Sequence, residues 1–305
     1  MVYTTTGTIR AFQGTLAGTW ATGGNLNTTP GRFQLGGAGT QTAALAFGGG
    51  TQWPGVGVTA NAETYNGSAW SEVGDLNAPR RNLSGLGTQT AALAVAGENP
   101  TTDTESWNGS GWTEVGDLNS GKNNSCGATG TNTAGIAFGG ETTAGPGNVN
   151  AETWNGSSWT EVGNLNKGRY DIGGAGTSTS ALAFGGTTPG TPPVDKDETE
   201  SWNGTAWTEL ADLNTAREGH GGFGASNTSA LCAAGTTTNT EEWNGTAWTE
   251  VADTSSALIT TAATMSGTTS LGAIFGGYTG PGINPQVTTL EWTGPSDETV
   301  SFDAS

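Results

Sequence analysis

The chain has 305 residues, including 53 glycines and 12 tryptophans; 33% of residues are hydrophobic, 12% charged, and the net charge is −18. Twelve tryptophans argue against disorder, because disordered segments are poor in aromatics, and the acidity disfavours phosphate backbones and anionic membrane surfaces. No stretch approaches the ~18 apolar residues of a membrane helix, and the opening MVYTTTGTIRAF lacks the charged and apolar regions of a secretory signal.

In chain order, residues 1–11 form an N-terminal extension without a repeat signature. Trp20-Ala-Thr-Gly-Gly-Asn-Leu-Asn27 follows, a strand pattern with no partners before it. From there a unit recurs to residue 294. It opens with a glycine-led segment and an apolar run that ends in glycine, as in GGAGTQTAALAFGG (36–49), GLGTQTAALAVAG (85–97) and GATGTNTAGIAFGG (127–140). It closes with an aromatic pair around Asn-Gly, as in AETYNGSAWSEVGDLN (62–77), TESWNGSGWTEVGDLN (104–119) and AETWNGSSWTEVGNLN (151–166). The first aromatics are Tyr65, Trp107, Trp154, Trp202, Trp243 and, in a degenerate copy, Trp292, at spacings of 42, 47, 48, 41 and 49. That period is one propeller blade.

Each unit reads as four antiparallel strands. A is the glycine-rich segment, B the apolar run buried on both faces, C the E-T-W segment and D the S-W-T-E-V segment. Asn-Gly between C and D predicts a type I′ hairpin. The apolar runs number six, and the C-terminal unit lacks a D strand. The sequence therefore predicts an all-β, six-bladed propeller whose last blade is closed by an N-terminal strand near residues 12–24. The propeller spans 12–294, and 295–305 is a C-terminal tail.

Glu63, Glu105, Glu152, Glu200 and Glu241 each stand two residues before the strand C aromatic. Five equivalent carboxylates around a ring are structural rather than catalytic. Their expected partners are Arg32, Arg80 or Arg81, Lys122, Arg169 and Arg217, in bidentate pairs. Blade six has Leu290 for the glutamate and Ala257 near the cation position, so both members vanish together. Cys126 and Cys232 occupy different repeat positions and read as buried free thiols. His220 is the sole histidine, so copper, zinc and histidine-based chemistry lack ligands. The sequence predicts no catalytic residues, no metal and no cofactor.

Repeat spacing drifts almost wholly in the B–C loops, which share a face with the D–A loops. Variable loops on a rigid scaffold are where binding residues concentrate. The candidates are Trp53 and Tyr278, with Asp195 and Asp197 as local acids. Exposed aromatics there either stack on sugar rings or bury against a neighbouring subunit.

The apolar run ending in Gly-Gly, followed by paired aromatics, resembles the kelch family over nearly the whole chain. More narrowly, WNGSSWTEVGNLN (154–166) and GAGTQTAALAFGG (37–49) are similar to kelch-like, galactose oxidase-like structural proteins of marine and freshwater bacteriophages. That resemblance implies a non-enzymatic virion component on tail, baseplate or capsid, made in the host cytoplasm. It implies other virion proteins and a host-surface glycan or protein as partners, homo-oligomeric display, no nucleic acid and no membrane insertion. It does not extend to a copper radical site, which needs two histidines. A carbohydrate-active enzyme with an acidic pair and a protein–protein adaptor are the alternatives.

Overall fold

The computed structural model describes residues 2–3, 9–53, 57–98, 101–123, 125–142, 147–188, 194–263, 267–280 and 284–302. Each repeat forms a four-stranded antiparallel sheet, and six sheets make a β-propeller with no helix among the described residues. In blade 1 the strands are A (Gly36–Thr40), B (Ala43–Phe47), C (Ala62–Tyr65) and D (Trp70–Val73). Blades 2 to 5 repeat this order, their A strands at Ser84–Thr88, Gly127–Thr131, Gly173–Thr177 and Gly221–Ser226. Blade 6 takes Ala262–Ala263, Leu271–Phe275 and Thr289–Thr293 from the C-terminal part and Thr19–Thr22 from the N-terminal part. Trp20 lies opposite Trp292, which is the expected closure with a shorter outer strand. Residues 9–16 pair instead with 296–302, Ile9 opposite Phe302, and Val2–Tyr3 adds a third strand to that ladder. The ladder crosses the boundary expected at residue 12, because the backbone donors and acceptors of the two chain ends satisfy one another.

Glycine content is explained at the axis. The inner strands of neighbouring blades approach so closely that a Cβ on Gly85 would lie 2.2 Å from the carbonyl oxygen of Gly37. Strand B supplies the core between them, with Ala44, Leu45, Ala46 and Phe47 fully buried. The C–D hairpins differ from the expected turn. Only the glycine has positive φ, from 90° at Gly67 to 96° at Gly156, so the sign pattern is that of type II′. The asparagine side chain removes the need for a second left-handed residue: Asn66 Oδ1 accepts from the backbone N–H of both Ser68 and Ala69.

The D-strand tryptophans zip the blades together. Phe47 meets Trp112 of the next blade edge-on at 4.9 Å, as Phe138 meets Trp207 and Phe275 meets Trp70. Each indole N–H reaches towards the first residue of strand C in the preceding blade. Trp159 donates to Thr104, Trp248 to Thr199, Trp20 to Thr240 and Trp70 to Thr289, all to the hydroxyl at 2.9–3.1 Å. Two blades have alanine there. Facing Ala62, Trp112 turns to the Gly74 carbonyl, whereas Trp207, facing Ala151, has a buried N–H with no acceptor. Ala151→Thr should therefore stabilise the fold by about 1 kcal/mol, the net value of one buried hydrogen bond. Thermal unfolding checks this; a Tm that falls shows the blade 3 site too tight for a hydroxyl.

Candidate functional site

The repeated carboxylates sit where the D–A crossover enters each blade. Arg32 Nη2 donates to Glu63 Oε1 at 2.8 Å, Arg80 to Glu105 at 2.8 Å and Arg169 to Glu200 at 2.9 Å, and Arg217 pairs with Glu241. All four pairs are buried. Arg81, the other cation considered for blade 2, instead bonds Glu98 at 2.7 Å. The pairing is not bidentate. Arg169 Nη1 turns to the carbonyls of Gly185 and Glu198, because the second Glu200 oxygen is occupied by Asn166 through both its backbone N–H and its side chain. Lys122 departs from the expectation. Its single ammonium lacks Arg's fork and donates to the carbonyls of Gly139 and Asn150, while Glu152 accepts from Asn119 and Ser120. The asparagines of the L-N dipeptide (Asn27, Asn77, Asn119, Asn166, Asn214) are thus partners that the sequence reading missed. Their repetition was the available signal.

Blade 6 also corrects the expected cation position. Gly235 N donates to Leu258 O, as Gly49 N does to Arg80 O and Gly140 N to Arg169 O, so Leu258 rather than Ala257 replaces the cation. Leu258 and Leu290 are both buried in one apolar cluster with Trp292. A hydrophobic pair stands in place of the ion pair. These clamps tie each of the four Arg-bearing D–A crossovers to strand C of its blade.

The candidate loop residues lie on the face formed by the B–C loops and the D–A crossovers. Trp53 is 51% exposed. Its ring lies 6.4 Å from that of Phe33, and Tyr278 meets the same Phe33 edge-on at 6.0 Å. The Arg81 guanidinium sits 5.8 Å over the Trp53 ring and is itself held by Glu98. Trp53 and Tyr278 are therefore brought together on the seam between blades 6 and 1. Asp195 belongs to a different neighbourhood, where its carboxylate accepts from Thr236 across the blade 4–5 boundary. Asp197 is exposed, and its carbonyl accepts from Leu213 N. Residues 54–56, 99–100, 143–146, 189–193 and 281–283 of the variable loops lie outside the described residues.

At the centre of this face the channel mouth is acidic. Burial, then Glu218, pushes the Asp171 carboxyl well above its usual range; burial and Asp195 raise Glu218. Burial and the same acids raise the phenol of Tyr170 to about 12 and that of Tyr278 above its usual value. His220 stacks on Phe184 at 5.5 Å, and its Nε2 donates to the Phe184 carbonyl. Burial and Arg217 lower its pKa to about 3, so it is neutral and structural at pH 7. Cys126 and Cys232 are buried and free. Among the described residues, no group of three or more His, Cys, Asp and Glu side chains is placed to hold a metal ion.

No protein-family model matches the chain, and no curated protein matches it. Among solved structures it is similar to that of YjhT, with a TM-score of 0.67 over 90% of this chain and 99% of that one, at 12% identity. At that identity the likeness is one of fold alone. The chain is a six-bladed β-propeller.

Proposed function

We propose that this propeller is of the kelch type and serves as a non-enzymatic bacteriophage virion protein that recognises a host-surface glycan through its B–C loop face. The observation that carries the recognition is Trp53, half exposed while Arg81 and Phe33 brace its ring. A braced aromatic offers a flat apolar face to a sugar ring at little entropic cost. The virion assignment rests on the resemblance of the repeat wording to phage kelch-like proteins. Single sugar sites are weak, so adhesion requires many copies, displayed on a homo-oligomeric assembly with other virion proteins.

Particles carrying Trp53→Ala with Tyr278→Ala should assemble normally but adsorb to host cells at least about tenfold less, as loss of a hot-spot aromatic implies. If adsorption is unchanged and assembly fails, the loops are joints to a neighbouring virion protein. One observation favours a second reading, an enzyme acting on glycans: burial raises the Asp171 carboxyl at the channel mouth, as a general acid requires, and Glu218 is close enough to add to that shift. Hydrolysis of a host glycan, abolished by Glu218→Gln, would replace the first reading by the second.

A further inference from the structure

In blades 1 to 5 the Asn-Gly hairpin joins strands C and D, but in blade 6 the same ribbon continues past that level. Thr19 lies opposite Thr293 within the blade. The ladder then runs on from Leu16 opposite Ser296 to Ile9 opposite Phe302. Ile9–Leu16 and Ser296–Phe302 therefore form a two-stranded arm, which leaves the propeller at the end opposite the B–C loops. At roughly 3.4 Å per residue, the C-terminal strand of the arm presents an edge of about 20 Å or more.

As a sheet the arm is incomplete. Two antiparallel strands are marginal in water, and three or more are needed for a stable ribbon. Val2–Tyr3 adds a third strand only at Ile9 and Arg10, on the outer side of the N-terminal strand. Among the described residues, Ser296–Phe302 is paired on one side alone, to Ile9–Leu16. Its other side presents backbone groups that template the addition of a further strand. The outer edges of the blades are guarded by comparison. The D strands of blades 1 to 5 are short, and each carries an exposed glutamate: Glu72, Glu114, Glu161, Glu209 and Glu250. Short charged edges resist pairing.

We propose that the free edge of Ser296–Phe302 pairs antiparallel with the same strand of a second copy of this chain, so that two arms make one continuous sheet across a two-fold axis. Symmetry sets the register, because the axis places one residue opposite its own copy. Only an axis at Thr299 pairs the whole strand: Ser296 then lies opposite Phe302, Asp297 opposite Ser301 and Glu298 opposite Val300. In that register no acid meets an acid, whereas an axis at Asp297 or Glu298 sets like charges face to face. Pairing with the N-terminal strand of the second copy is disfavoured, since Val2–Tyr3 already occupies part of that edge. The inference gives a contact to the homo-oligomeric display proposed above. Its test reads self-association without any glycan, so either reading can fail alone.

Sedimentation equilibrium of the full chain is the test. The expected result is a monomer–dimer equilibrium with a Kd on the order of 10⁻⁵–10⁻⁴ M, as for a small interface. Thr299→Glu and Thr299→Lys should each weaken the dimer about five- to tenfold, and an equimolar mixture of the two should restore it. Neither substitution lies in a blade, so the Tm should move by only a few degrees. Under mild oxidation Thr299→Cys should form a covalent dimer, because facing Cβ atoms ~4.5–5.5 Å apart come within reach of a disulfide. Cys126 and Cys232 are buried and do not compete. Ser296→Cys should not cross-link, since the two copies of that residue stand roughly 20 Å apart in this register. The proposal is overturned by a monomer at every concentration up to about 0.5 mM, by a Thr299→Glu dimer as tight as the parent, or by Ser296→Cys cross-linking as readily as Thr299→Cys.

Discussion

Glu200→Leu should lower the stability of the propeller by about 3–5 kcal/mol, and adding Arg169→Leu should recover a substantial part of that loss. The single variant leaves the Arg169 guanidinium fully buried with no counter-charge. It also strips the acceptor from Asn166, whose backbone N–H and side chain both end on Glu200 Oε2. The double variant removes the stranded charge and reproduces the pair already present in blade 6, where Leu258 and Leu290 pack with Trp292. Recovery will be incomplete, because the Gly185 and Glu198 carbonyls lose the Arg169 Nη1 donor. Unfolding measurements on both single variants and the double complete the cycle. A double variant less stable than Glu200→Leu alone would mean that the clamp holds through Arg169's carbonyl bonds rather than through the ion pair.

That cycle bears on why a mostly polar sequence uses buried ions at all. A leucine pair closes a blade, so charge is not required for folding. What the ion pair adds is direction: Arg169 reaches from the crossover to strand C while its own carbonyl accepts from Gly140 of the preceding blade. One residue thereby fixes two blades in register. Lys122 makes the same crossover with fewer donors, and Glu152 there relies on Asn119 and Ser120.

Blade number, strand order and the N-terminal closure were legible because they are written as period and alternation. Trp20 could be assigned to the last blade because its spacing to Asn25-Leu26-Asn27 repeats that of the other D strands. The Glu–Arg pairing was legible because both members recur and both vanish in blade 6. Its geometry was not, since a repeat tells which residues meet but not which lone pair is already taken. The Asn-Gly dipeptide misled for a related reason: the side-chain oxygen of Asn66 caps the turn and leaves only Gly67 left-handed. The channel mouth was hidden more completely. Gln34, Asn82, Ser125, Asp171, Gly219 and Thr260 share a backbone conformation and no chemistry, so position alone relates them. Trp53 and Tyr278 were separately visible as loop aromatics, but their meeting over Phe33 depends on ring closure bringing blade 6 beside blade 1.

Removing residues 1–23 should abolish the soluble propeller, whereas removing 1–17 together with 296–305 should leave it folded. The second truncation deletes the ladder between 9–16 and 296–302 but keeps Thr19–Thr22. Its Tm should move by only a few degrees, because no blade loses a strand. The first truncation opens the ring. Strand C of blade 6 becomes an edge with unpaired backbone groups, Trp292 loses the Trp20 ring packed 5.4 Å away, and Thr240 loses the indole donor that ties blade 6 to blade 5. An indole contributes ~150–250 Å² of burial, and at roughly 25 cal/mol per Å² the lost contacts are on the order of 5 kcal/mol. That is comparable to the whole stability of an ordinary domain, and the open edge is a template for aggregation. Size-exclusion chromatography and thermal unfolding of the two truncations read the difference directly. If the 1–23 truncation elutes as a monomer with a Tm close to that of the other, closure by the N-terminal strand is dispensable, and the seams between blades hold the ring unaided.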